Sequence, residues 1–161
     1  MTKTLIAYFS ASGVTARAAK EMADSLGADL YEIRPEEPYT AADLDWTDKR
    51  SRSTREMNDS ACRPAIAGPA ADLTQYDTVF LGFPVWWYVE PRIIDTFLES
   101  HDLSGKTVIP FATSGGSGIA KAEQSLRECC PQAGWKPGKL VNSGAAAWAR
   151  SSVRPPVQLP I

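Results

Sequence analysis

The sequence predicts an α/β fold: one doubly wound parallel sheet of five strands, ordered 2-1-3-4-5, in a single domain spanning 1–161. Two observations predict the architecture, and a third sets its size. Several apolar runs are short and almost unbroken, as in strands covered on both faces. Four-residue apolar periods fill the gaps between them, so strands and helices alternate. The 161 residues suit one sizeable core.

Thr4 to Phe9 (TLIAYF) and Thr78 to Phe83 (TVFLGF) are the two clearest buried strands. Leu30 to Ile33 (LYEI) alternates, as an edge strand does. Thr107 to Ala112 (TVIPFA) is a fourth strand, in which Pro110 predicts a bulge or an unpaired side because it has no N–H to donate. A weaker fifth strand falls around Lys139 to Val141. Val14, Ala18, Met22 and Leu26 form the stripe of a first helix, stopped by Gly27. Pro91 opens a second helix with Ile93, Ile94, Phe97 and Leu98 on its apolar face. Ile119, Ala122, Leu126 and Cys129 mark a third, ended by Pro131. Residues 35–69 break the alternation. They are polar, highly charged and aperiodic, and read as a long surface insertion with room for one short helix.

Composition narrows the function classes. The apolar fraction of 43% and charged fraction of 22% are those of an ordinary globular protein. A net charge of −2 gives no reason to expect nucleic acid or an anionic membrane as partner. Lys49, Arg50, Arg52 and Arg55 form a local basic cluster that reads as a solvated face. Three cysteines without framework spacing suggest reduced thiols and a cytoplasmic setting, and no Cys/His set suggests a metal. No run reaches 18 apolar residues, and the first strand follows Met1 almost directly, with no leader pattern before it. The one histidine, His101, lies in a polar loop and reads as surface.

Three turns follow strands one, three and four, hence gather at one end of the sheet, where doubly wound folds bind ligands. Ser10-Ala11-Ser12-Gly13-Val14-Thr15 opens the first helix. Unpaired N–H groups and the positive dipole end suit a phosphate there, although a plain capped turn needs the same residues. It has neither the dinucleotide fingerprint nor the P-loop, so its guest is a single phosphate group. Pro84-Val85-Trp86-Trp87-Tyr88 holds three consecutive aromatics, which no helix or strand can bury on one face. They either wall a flat heteroaromatic ring or plug a loop. Thr113-Ser114-Gly115-Gly116-Ser117-Gly118 frees backbone N–H groups for the polar edge of such a ring, or is simply a flexible loop. Together the three supply what FMN needs: phosphate donors, aromatic walls and pyrimidine-edge donors.

These residues resemble the flavodoxin family, and in particular its short bacterial subgroup. Tyr8 to Thr15 (YFSASGVT) is similar to the phosphate loop, with Ser12 where threonine is usual and Val14 where asparagine is usual. Gly82 to Pro91 (GFPVWWYVEP) looks like the flavin-stacking loop, and Phe111 to Gly118 (FATSGGSG) like the third flavin loop. Tyr39, Asp45-Trp46, Ser51-Arg52-Ser53, Glu56 and Arg63-Pro64 resemble the subgroup's insertion.

The resemblance implies an FMN-bearing electron carrier, cycling its flavin between oxidised, semiquinone and reduced states, rather than an enzyme with its own substrate. It implies phosphate contacts at Ser10, Ala11, Ser12, Gly13, Val14 and Thr15, and ring contacts at Pro84, Val85, Trp86, Trp87 and Tyr88. It implies pyrimidine-edge contacts at Thr113, Ser114, Gly115, Gly116 and Gly118, and no catalytic residue of the chain's own. Its partners would be a reductase that donates electrons and an enzyme that accepts them. An FMN-dependent NAD(P)H:quinone or nitro reductase is the runner-up, and a non-redox interaction module the third reading. The end of the chain departs from the family pattern. Asn142 to Arg150 has room for little more than two helical turns, and Ser151 to Ile161, with three prolines, reads as an extended tail. One sheet face is then expected to be incompletely covered, a place for the tail or for a second copy in a homodimer.

Overall fold

Alternation along β1 (Thr4–Tyr8) sends Leu5 and Ala7 to one face of the sheet and Ile6 to the other, and all three are buried. The same division holds in β3 (Thr78–Pro84), where Val79 and Leu81 oppose Phe80. The computed structural model describes residues 3–114, 116 and 118–153 of the chain. Its sheet has the expected order, with β2 (Asp29–Glu32) at one edge beside β1, then β3, then β4 (Thr107–Thr113). All these pairings are parallel.

The fifth position is divided into β5 (Gly134–Trp135) and β6 (Lys139–Leu140), both parallel to β4. The carbonyls of Val108 and Ala112 accept from Lys136 and Val141, so these residues face the fifth position. Pro110 lies between them and faces the same way, and its missing N–H falls where the ladder is interrupted. Gly138 fits there because a Cβ on it would stand 2.2 Å from the Pro110 carbonyl oxygen. The expected bulge is therefore the break between β5 and β6.

One face of the sheet is covered by α3 (Arg92–Ser100) and α4 (Ala120–Cys129), with Ile93, Ile94, Phe97, Leu98, Ala122 and Leu126 fully or almost fully buried. Each large apolar side chain contributes about 1.5–3 kcal/mol on leaving water. The other face is covered by α1 (Val14–Leu26) and α5 (Ala145–Val153). Ala18, Ala19 and Ala23 of α1 share a cluster with Ala145 and Ala149 of α5, small residues that let the helices pack closely, and Met22 fills the space beside them. Trp148 adds an edge contact with Phe80 at 5.6 Å between ring centroids.

The described helix α5 corrects two expectations. Ser151, Ser152 and Val153 continue it rather than beginning an extended tail, because the first proline is Pro155 and only the residue before a proline is pushed out of the helical region. The face expected to lie incompletely covered is packed against α1 and α5. The rest of the tail, 154–161, lies outside the described residues. A smaller correction concerns Val14, which opens α1 half exposed while Thr15 takes the inward position.

The insertion has one short helix, α2 (Arg52–Asn58), capped by Ser51 Oγ, which accepts the Thr54 N–H. Hydrogen bonds from Glu36 N–H to Ala65 O and from Ala67 N–H to Arg34 O draw its ends together. Arg92 of α3 donates to the carbonyls of Glu56 and Met57 and so fastens the insertion to the sheet's helical layer. His101 is half-buried rather than superficial: one ring nitrogen takes the Ala71 N–H while the other meets the Phe97 carbonyl. No helix among the described residues is long and apolar enough to cross a membrane.

Candidate functional site

The first turn is held by Ser10, whose hydroxyl oxygen accepts the N–H groups of Gly13 and Ala16, each at 3.1 Å. Sequence reasoning counts Ser10 among the phosphate donors. The structure also makes it the cap of the turn, with only its own O–H proton left to offer. Gly13 takes φ 96°, a backbone conformation closed to most side chains, and thereby turns the chain into α1. The N–H groups of Ser12, Val14 and Thr15 have no acceptor among the described residues. They remain open at a helix N-terminus.

Thr113 joins this turn to the other two. Its hydroxyl is 2.8 Å from the Thr15 hydroxyl, and both side chains are buried. Its carbonyl accepts the N–H of Val85 at 2.9 Å, at the start of the aromatic turn. One residue at the end of β4 thus bonds to both neighbouring segments, and the expected convergence of the three turns is met. Beyond Thr113, Ser114 donates its N–H to Asn142 Oδ1 at 3.0 Å and accepts from Asn142 Nδ2 at 2.7 Å. Sequence reasoning missed Asn142. Only its place just after the fifth strand, at the same end of the sheet, hints at it. Gly116 and Gly118 are exposed in this turn, and Gly115 lies outside the described residues.

The aromatic turn is a two-residue hairpin. Trp86 and Val89 exchange both backbone hydrogen bonds, at 2.9 and 3.1 Å. Trp87 and Tyr88 stand at its tip with φ of 48° and 73°. Hairpins of this kind ordinarily place Asn-Gly there, and a left-handed conformation costs other residues roughly 1–2 kcal/mol each. Two bulky aromatics held so, and left 41% and 57% exposed, signal a function that outweighs the strain. Trp86 has a different role. It packs edge-on against Phe9 (5.7 Å) and Tyr39 (5.4 Å), and so supports the tip from below. Pro84 and Val85 are half-buried behind it.

The cleft in front of this turn has a volume of about 590 Å³, within the range of small-ligand sites. It is lined by Val85, Trp86, Trp87 and Tyr88 of the aromatic turn, by Ser114 and Gly116 of the third turn, and by Leu44, Trp46 and Ser53 of the insertion. Trp46 is 73% exposed, so an open indole face lines the cleft. The sequence reading matched Trp46 to the family pattern without placing it at the ring. The insertion wall is fixed by Arg52, which lies 3.9 Å over the Tyr39 ring and donates to Glu56 Oε2 at 2.9 Å. Arg52 is therefore structural, not a free member of a solvated basic face. Tyr39 in turn donates to Glu56, and its phenol pKa is raised by burial first and by that carboxylate second. Ser10 and Ala11 line a second cleft of about 430 Å³, with Phe9, Arg34 and Tyr39. The open N–H groups, the exposed aromatic side chains lining the cleft and the polar third turn suit a flat heteroaromatic group carrying one phosphate.

The sequence model of the family described as flavodoxin matches residues 3–152. The chain belongs to the flavodoxin family. Among solved structures, a candidate flavoprotein from Bacteroides eggerthii is 51% identical, with a TM-score of 0.91 over 95% of this chain and 96% of that one. A second, from Bacteroides uniformis, is also 51% identical, with a TM-score of 0.90 over 96% and 99%. A flavoprotein from Lactobacillus acidophilus, solved in complex with FMN, shares the fold at 23% identity, with a TM-score of 0.77 over 92% and 99%. A comparison with curated protein sequences finds no match. Within this flavodoxin-family chain, the departure at Ser12 leaves the open donors of the first turn in place, because they are backbone groups.

Proposed function

We propose that this flavodoxin-family protein binds FMN without a covalent bond and serves as an electron carrier between a reductase and an acceptor enzyme. The observation that carries the reading is Thr113, which bonds to the phosphate turn through its hydroxyl and to the aromatic turn through its carbonyl. The backbone N–H groups of Ser12, Val14 and Thr15 would hold the phosphate, and the Ser12 and Thr15 hydroxyls lie beside them. Trp46 on one side and Trp87 with Tyr88 on the other would stack on the ring and exclude water from it. The third turn, braced by Asn142, would meet the ring's polar edge. Bound FMN supplies reversible one- and two-electron chemistry, while the protein sets its potentials and access. Family membership and the 51% identical candidate flavoproteins support the cofactor. Trp87 and Tyr88 are exposed at the rim, so a ring held between them and the insertion would keep an edge open to a redox partner.

Stepwise electrochemical reduction of the purified protein tests the carrier role. Two resolved one-electron steps are expected, with no sustained oxidation of NADH or NADPH when a quinone is added. A single two-electron step with steady NAD(P)H turnover would overturn the carrier reading in favour of a reductase.

A further inference from the structure

Immediately after the aromatic turn the chain buries two carboxyl groups. Glu90 is fully buried and Asp95, on α3, is 4% exposed. Ser125 of α4 donates to Glu90 Oε2 at 2.9 Å, and Arg92 Nη1 stands 3.8 Å from Asp95 Oδ2. The remaining oxygens, Glu90 Oε1 and Asp95 Oδ1, have no donor among the described residues. Arg92 brings one positive charge against two carboxyl groups, and its other donors go to the Glu56 and Met57 carbonyls.

The other charged and titratable groups near the pair are few. Glu99 of α3 is one, and Arg63 of the insertion holds it through two hydrogen bonds of 2.9 Å. Cys129 of α4 is the other, its thiol pushed up to about 12 by burial first and then by the charges of Asp95 and Glu99. Two ionised carboxylates cannot rest together in such surroundings, since burial penalises each charge and the charges repel. Burial, a hydrogen bond to Asp95 and the Asp95 charge push the Glu90 carboxyl up to about 9.

We propose that Glu90 keeps its proton at neutral pH and turns it toward Asp95, and that this proton fastens the aromatic turn to α3 and α4. The proton converts two orphaned oxygens into one hydrogen bond. Glu90 follows Val89, which closes the turn on Trp86. The pair therefore acts on the posture of Trp86, Trp87 and Tyr88, and Glu90 is a positioning residue. Loss of the proton leaves two buried charges and loosens the turn.

The proton is held by the folded chain and released by the unfolded one, whose glutamate has the ordinary value of 4.5. The contribution to stability is therefore complete below that value and declines as pH rises toward the folded value. The decline is at most about tenfold in the folding constant per pH unit.

The full chain as purified tests this with three variants and no added ligand. Infrared difference spectra of wild type against E90Q at pH 7 should show a protonated-carboxyl band that shifts in D2O. Urea unfolding should show the wild-type folding constant falling up to about a hundredfold from pH 6 to 8 relative to E90Q and D95N. In both variants a side-chain amide can donate to the remaining carboxylate, so the pair no longer needs a proton. Tryptophan emission of the native wild type should hold steady from pH 6 to 8 and change as pH rises through the folded value of about 9, and that of E90Q should not. The same pH slope in all three proteins, or no protonated-carboxyl band in the wild type, would overturn the proposal. The infrared measurement on wild type and the D95N comparison decide the matter even where E90Q does not fold.

Discussion

Replacing Thr113 by valine keeps the shape of the side chain and removes one hydroxyl. Thr113 and Thr15 are 4% and 1% exposed, and their oxygens are 2.8 Å apart. The single change leaves the Thr15 hydroxyl buried without its partner, which costs about 1–3 kcal/mol. For a chain of this size each kcal/mol lowers Tm by roughly 2–4 °C, so T113V should melt about 2–12 °C below wild type. T15V should cost a similar amount, because it orphans the other hydroxyl. The double variant T15V/T113V replaces both partners by apolar groups, which is nearly neutral. It should therefore be far more stable than the sum of the singles implies, with a coupling of about 2–6 kcal/mol, the two single losses together. Urea unfolding of the four FMN-free proteins measures the cycle. Additive losses would refute the claim that this bond joins the first and third turns.

Four further outcomes follow from the same geometry. The double change W87N/Y88G installs residues suited to the positive φ at the hairpin tip, so the urea midpoint should rise by an amount worth about 1–2 kcal/mol while FMN affinity falls about tenfold. W46A should weaken FMN about tenfold yet shift stability by less than about 0.5 kcal/mol, as expected for a side chain that is 73% exposed. G138A drives a Cβ into the Pro110 carbonyl oxygen, only 2.2 Å away. It should cost about 1–3 kcal/mol and speed amide exchange at Val141. R52A leaves the buried Glu56 carboxylate without its guanidinium, 2.9 Å away in the wild type. It should cost about 1–3 kcal/mol and make residues 35–69 the first site of limited proteolysis.

What was legible in the sequence depended on how locally it was encoded. The buried strands carry their identity in their own apolar runs, and α1 announces both ends through Gly13 and Gly27. Pro110 marks the broken fifth strand because a missing donor must face a gap somewhere. The three turns at this end of the sheet were legible because each carries its own chemistry in consecutive residues. Pairings across long separations were not legible. Thr15 and Thr113 are 98 residues apart, and Ser114 and Asn142 are 28 apart, with no periodicity that links them. The insertion hid its part in the site for the same reason: Trp46 becomes a wall only once Arg52, Tyr39 and Glu56 have fixed the loop. The end of α5 was misplaced by three residues because the prolines were weighed together, whereas the helix responds only to the first of them.

Titration of the FMN-free protein with FMN, riboflavin and FAD, followed by flavin and tryptophan fluorescence, bears most directly on the joint action of the three turns. The account predicts one FMN per chain, quenching of both fluorophores, and much weaker binding of riboflavin, which lacks the phosphate. Equal affinity for FMN and riboflavin, or no quenching by either, would contradict it.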